Sequence, residues 1–204
     1  MDTSKTTYTR YREFLLSQIM EVDTLFKLYI HIYNKQVDMV EVLNVAPAFF
    51  SLVIKAFLEN SMTHLSKLYD SNSATVTVYK FLNFIQSNIN QLEFLVSDKE
   101  IQAVIKSLNE KLHSFNLNIS KLKILRDSFL AHNDKEYIFN DDPWEKVGLT
   151  IGEINELINL PSEIINEIGV AKGENHVYPE ALNALDVDMV FQIIFEYLER
   201  LNAT

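Results

Sequence analysis

Turn-forming residues are scarce in this chain. Four glycines and four prolines punctuate 204 residues, and all the glycines (Gly148, Gly152, Gly169, Gly173) fall in the last third. A many-stranded β fold needs a turn signal about every 8–12 residues, so it is disfavoured and long helices are the natural alternative. A chain this long buries roughly 70% of the surface that its unfolded form exposes. Its 48% apolar content supplies the core that such burial requires.

The periodicity agrees. From Tyr8 to about Asn34, positions 8, 11, 15, 18, 22, 25, 29 and 32 read Tyr, Tyr, Leu, Gln, Val, Leu, Tyr and Ile. Spacings of three and four place these side chains on one helix face. Pro47 suits the first turn of a second helix, where its missing N–H costs nothing. That helix runs to about Tyr69, and its first half, apolar nearly all round, is expected in the core. Residues 71–75 read as a loop. Thr75 or Thr77 can cap a helix over residues 78–95. Ser97 and Glu100 form a capping box that opens the next helix, and Thr150 with Glu153 forms a second one. A helix from about Leu117 to Ala131 lies between them. Pro161 either kinks the helix that follows Thr150 or starts its successor. Gly169 suits a C-terminal cap. The last helix lies within Pro179–Leu201, with Asp186 or Asp188 marking its start. Strand-like alternation is confined to residues 76–78. The expectation is an all-α fold of six to eight helices, a bundle.

Several chemistries are excluded by residue type. There is no cysteine, so disulfides, thiol nucleophiles and cysteine-based zinc sites are absent. No two of His31, His64, His113, His132 and His176 lie three or four apart, so no single helix presents a histidine pair to a metal. Neither a Gly-rich phosphate loop, H-E-x-x-H nor G-x-S-x-G is present. No cofactor is expected. The longest nearly apolar run, Val45–Ile54, falls short of the roughly 18 residues of a membrane span. The N-terminus lacks the apolar stretch of a secretory signal, so a cytoplasmic protein with no membrane partner is expected.

Charge is uneven. Residues 1–135 carry 15 Lys and Arg against 14 Asp and Glu, whereas residues 136–204 carry 3 against 14. The whole surface is no general attractor for nucleic acid. A local site in the first two thirds is compatible with this balance. The surface around residues 117–135 is expected to be neutral or positive, with the acidic C-terminal helices facing away from it.

One segment concentrates reactive groups. Leu122–Tyr137 holds Arg126, Asp127, His132, Asp134 and Lys135, with Lys121 and Lys123 at its edge. A histidine near pKa 6.5 can take a proton from a ribose 2′-OH or return one to a leaving oxygen. An arginine stays charged and can fork two donors onto a phosphate. Together they suit metal-free RNA cleavage by 2′-OH attack. On a regular helix an offset of six turns the two residues apart by about 240° and displaces them about 9 Å. For both to serve one site, the helix must loosen near Ala131, or two copies must meet across a dimer axis. The same residues also fit a helix surface laced with ion pairs. His31, His64, His113 and His176 read as structural, as do Tyr69 and Asp70 at a helix end. Trp144 reads as an anchor packed under its loop.

The segment LRDSFLAHNDK (125–135) resembles the Arg-x4–6-His signature of the HEPN superfamily, in which a polar residue follows the arginine directly; Asp127 fits that position. Its wording is most similar to the abortive-infection AbiU-type branch. So are LYDSNSATVTVYKFL (68–82) and LTIGEINELINLPSEIINEI (149–168). The resemblance implies a four-helix core, two motifs meeting in a cleft between two copies, and metal-independent endoribonuclease activity in many members. Such members act as toxins or in phage defence, while others bind RNA without cleaving it. One subgroup carries a modified tyrosine two residues after the histidine. Here that position is Asp134, and the next tyrosine is Tyr137.

The expectation is therefore one HEPN-like domain over 1–204, with a core at about 8–135 and an acidic helical extension at about 148–201. Arg126, His132 and Asp127 are the candidate catalytic residues. Lys121, Lys123, Asn133, Asp134 and Lys135 are candidate RNA contacts. The expected partners are a second copy of the chain, an RNA substrate and a protein antitoxin, in a phage-defence or toxin–antitoxin system. A non-catalytic HEPN module, or a helical interaction protein with a chance motif, are the rival readings.

Overall fold

The computed structural model describes residues 3–70, 75–127, 147–178 and 185–203. Among them every regular element is a helix and none is a strand, so the fold class is all-α. The α-helices are α1 (Thr3–Asn34), α2 (Val40–Leu43), α3 (Pro47–Leu68), α4 (Val78–Ser87), α5 (Asp98–Ser114), α6 (Asn116–Leu125), α7 (Ile151–Ala171) and α8 (Leu185–Asn202). A 3-10 turn, Ile89–Gln91, follows α4. The chain forms two compact units: residues 1–19 with 62–179, and residues 20–61 with 180–204. The divisions fall inside α1 and α3.

In the first unit α5 is the central helix, touching α4, α6 and α7, while α6 also touches α7. Its Ile101, Ile105, Leu108 and Leu112 are buried at helical spacing, each contributing about 1.5–3 kcal/mol relative to exposure. The capping box opens α5 as the sequence predicts: the Ser97 hydroxyl accepts from Glu100 N–H, and the Glu100 carboxylate accepts from Ser97 N–H at 2.8 Å. Thr77, rather than Thr75, caps α4 by accepting from Lys80 N–H. That helix stops well before residue 95. The Asn88 amide donates to the Phe84 carbonyl at 2.8 Å, drawing that carbonyl away from the ladder, and the 3-10 turn follows.

The α1 side chains buried in this unit are Tyr8, Leu15 and Ile19. The buried line thus passes through Ile19, not through Gln18 as the periodicity suggested. Both positions satisfy the spacing, and the apolar side chain takes the core. Tyr11 stacks on Phe84 with ring centroids 5.3 Å apart.

The second capping box, Thr150 with Glu153, opens α7. This helix runs through Pro161 without ending. Its C-terminal cap is Lys172 followed by Gly173, which sits at φ +77°. Glu174 N–H bonds the Gly169 carbonyl at 2.8 Å, and Gly173 N–H bonds the Val170 carbonyl at 2.9 Å. This is a Schellman closure, and it needs a left-handed residue at Gly173. Gly169, expected as the cap, lies inside the helix and supplies a carbonyl to the closure.

The second unit has a core of Ile32, Val42, Phe50 and Phe191. Phe50 and Phe191 meet edge to face with centroids 5.9 Å apart. Here the first half of α3 departs from expectation. Phe49 is 60% exposed and Leu52 67%, and only Phe50, Ile54 and Phe57 pack on this core. A helix apolar all round at its start still offers one stripe to a core this small. The buried run of α3 is its end, through Met62, Leu65 and Leu68. The short α2 was not legible in the sequence. Asp188 in the first turn of α8 binds His31 of α1 at 2.8 Å and pairs with Lys35 just after that helix.

Candidate functional site

Pro161 sets the geometry of one wall. It has no N–H, so the carbonyl four residues earlier, that of Leu157, loses its helical donor. Tyr69, directly after α3 and fully buried, donates its hydroxyl to that carbonyl at 2.5 Å. Burial raises the Tyr69 pKa well above its ordinary value, so the phenol stays protonated as this bond requires. Tyr69 therefore ties the end of α3 to α7, and the next residue, Asp70, is carried with it.

Asp70 meets the motif. The Asp70 carboxylate lies 3.6 Å from Nη1 of Arg126, at the C-terminal end of α6. Asp127 accepts from Nε of Arg126 at 2.6 Å. The guanidinium is held between two carboxylates, and its pKa is raised, first by the hydrogen bond to Asp127 and then by the two negative charges. At 23% side-chain exposure, Arg126 is neither sealed in the core nor loose on the surface. Its remaining Nη donors have no partner among the described residues. Planar N–H groups of this kind can fork two donors onto a phosphate.

Arg126 and Asp127 also take π-helical geometry, a wider turn than the regular helix before them. Such turns occur within helices, frequently at functional sites. The sequence left two ways for both residues to serve one site, a loosening near Ala131 or a dimer; among the described residues a departure from regular geometry is present at Arg126. His132, Asn133, Asp134 and Lys135, with Ala131, Tyr137 and Trp144, lie outside the described residues.

The flanking lysines differ. Lys121 donates to the Gly148 carbonyl at 2.7 Å and lies 3.3 Å from the Glu153 carboxylate. Backbone and hydroxyl hydrogen bonds from Thr150, together with Lys121, hold Glu153 below the usual carboxylate range. The acidic C-terminal region therefore does not turn wholly away from residues 117–135: the N-terminus of α7 packs on α6 and neutralises Lys121. The charge imbalance reads as a preference for separation, but a capping carboxylate beside a lysine is the more favourable local solution. Lys123 makes no such contact among the described residues. His31 pairs with Asp188, and His113 lies at the end of α5. Among the described residues no three histidine or acidic side chains converge as metal ligands. No described helix is long and apolar enough to cross a membrane.

The sequence named Arg126 and Asp127, but it did not pair them with Asp70, which it read as a helix end. Asp70 lies in LYDSNSATVTVYKFL, one of the stretches that carried the resemblance, but nothing in that stretch pairs it with Arg126. No curated protein and no solved structure matches the chain. A HEPN family model described as AbiU2 matches residues 5–189, which takes in α1 through the first turn of α8 and every residue of the arrangement above. The chain belongs to the AbiU2 family of HEPN proteins, a family related to abortive infection.

Proposed function

We propose that this protein is a metal-independent endoribonuclease of a phage-defence or toxin–antitoxin system. It cleaves RNA by attack of the internal 2′-OH on the adjacent phosphate. Arg126 holds the scissile phosphate and stabilises the charge that develops on it. His132 moves the proton as general acid or base. Asp127 orients Arg126, and Lys123, Asn133, Asp134 and Lys135 are the auxiliary contacts to RNA. The observation that supports this reading most directly is Arg126 itself: a partly exposed guanidinium held beside two carboxylates, in the segment whose wording resembles the HEPN signature.

The test is an RNA-cleavage assay in EDTA with wild type, His132→Ala and Arg126→Ala. Cleavage is expected to persist in EDTA and to leave 2′,3′-cyclic phosphate ends. A deoxyribose at the cut site is expected to block it. His132→Ala is expected to lose about 10²–10⁴-fold, and Arg126→Ala about 10²–10³-fold. Equal rates for wild type and His132→Ala, at unchanged helicity, overturn the enzyme reading. The alternative is then a non-catalytic module. Exposed Phe49, Leu52, Met189 and Ile193 in the second unit favour a protein partner for it.

A further inference from the structure

We infer that Asp70 is a positioning residue for Arg126, selecting which edge of the guanidinium meets the scissile phosphate. This inference rests on the ribonuclease reading above and adds a residue to its site. Three observations carry it. Asp70 is not a free carboxylate at a frayed helix end, because its neighbour Tyr69 is wholly buried and bonded to the Leu157 carbonyl. The Asp70 carboxylate faces Nη1 of Arg126 across 3.6 Å, from a residue 56 positions earlier in the chain. Asp127 takes Nε from the opposite end of the same group.

A guanidinium offers five N–H donors in a rigid plane. Two edges of that plane can grip a phosphate: the side edge, through Nε and one Nη, or the end edge, through both Nη atoms. Asp127 occupies Nε and so closes the side edge. The end edge is the one Asp127 leaves, and the Asp70 charge beside Nη1 fixes its direction. At 3.6 Å the pair is longer than a formed hydrogen bond, so Asp70 restrains the guanidinium through its charge. Asp127 alone is an adjacent residue on the same helix and moves with Arg126. Asp70 comes from the end of α3, anchored on α7 through Tyr69, and provides a fixed external reference. That is the requirement for holding a catalytic cation still while the phosphate acquires charge.

The test combines kinetics with a signal that does not depend on activity. Wild type, Asp70→Asn, Asp70→Ala and Asp70→Glu are assayed for RNA cleavage in EDTA, with thermal melting to confirm folding. Nitrogen-15 NMR follows the Nη1 and Nη2 resonances of Arg126, assigned by their loss in Arg126→Lys. In wild type, restricted rotation about the Nε–Cζ region is expected to keep the two Nη signals separate. Asp70→Asn is expected to merge them and to lower kcat roughly 10–100-fold while KM stays within about twofold, because the charge that binds phosphate persists and only its aim is lost. Asp70→Glu, which keeps the carboxylate, is expected to recover most of kcat and the separate signals. Wild-type kcat in Asp70→Asn alongside active wild type overturns the positioning role and leaves the ribonuclease reading intact. Unchanged Nη signals in Asp70→Asn overturn it whatever the rates. If wild type does not cleave RNA, the ribonuclease reading fails, and a positioning role in cleavage fails with it even where the Nη signals respond.

Discussion

At the scale of single residues, the most informative contact joins a missing donor to a buried phenol. Pro161 leaves the Leu157 carbonyl without its helical N–H, and Tyr69 fills the gap from 88 residues away. Tyr69→Phe removes the hydroxyl and strands a buried acceptor, a loss of about 1–3 kcal/mol. In a Pro161→Ala background the new amide N–H of residue 161 can donate to the same carbonyl. The cost of Tyr69→Phe is therefore expected to shrink there, and a double-mutant cycle in urea measures the difference. Equal costs in both backgrounds would show that Tyr69 and Pro161 are not coupled through this carbonyl. Pro161 was visible in the sequence as an interruption with two outcomes, a kink or a new helix. The helix continues, and the donor borrowed for the Leu157 carbonyl comes from a side chain so distant that local patterning holds no trace of it. The pairing of Asp70 with Arg126 was illegible for the same reason, whereas Arg126 and Asp127 stood out because adjacent residues of a motif are read together.

At the scale of elements, local chemistry was legible and burial was not. Pro47 opens α3, and both capping boxes form, because each signal involves residues within one turn. The exposed start of α3 shows the limit. Its composition says that apolar area is present, but which stripe finds a partner depends on how much core the second unit offers. The docking of α8 in that unit gives a pH-dependent test. Hydrogen bonds from Lys35 first and His31 second hold the Asp188 carboxyl below its ordinary range. A lowered native pKa means that its stabilisation is complete above the unfolded value of about 3.9. It is lost as the pH falls through the lower native value. Amide protection factors over α8, which correct exchange for its intrinsic pH dependence, are expected to fall below pH of about 4, and Asp188→Asn is expected to remove that fall. A partly exposed pair of this kind contributes about 0.2–1 kcal/mol, so the change should be confined to this unit's helix and not to α5. A fall in protection of equal size in Asp188→Asn would assign the effect to other carboxylates.

At the scale of the whole molecule, the question is how one phosphate meets both Arg126 and His132. An offset of six turns the two side chains about 240° apart on a regular helix, although the π geometry at Arg126 and Asp127 already breaks that regular step. A two-fold dimer solves the problem by letting Arg126 of one copy face His132 of the other, since an isologous interface brings each residue to its counterpart's partner. We propose this arrangement for the present protein, and it has a consequence that a site within one subunit lacks. Arg126→Ala and His132→Ala are each expected to be nearly inactive alone. A mixed dimer of the two holds one intact site, made from the arginine of one copy and the histidine of the other, and one site with neither. Random exchange makes half the dimers mixed, each with one of its two sites working, so the mixture is expected to recover about a quarter of wild-type activity. Recovery should grow on the timescale of subunit exchange and should not appear when Arg126→Ala is mixed with the double variant Arg126→Ala/His132→Ala. If mixing restores nothing while sedimentation shows that subunits have exchanged, Arg126 and His132 of one copy serve the same phosphate. The departure from regular helix that begins at Arg126 must then bring them together.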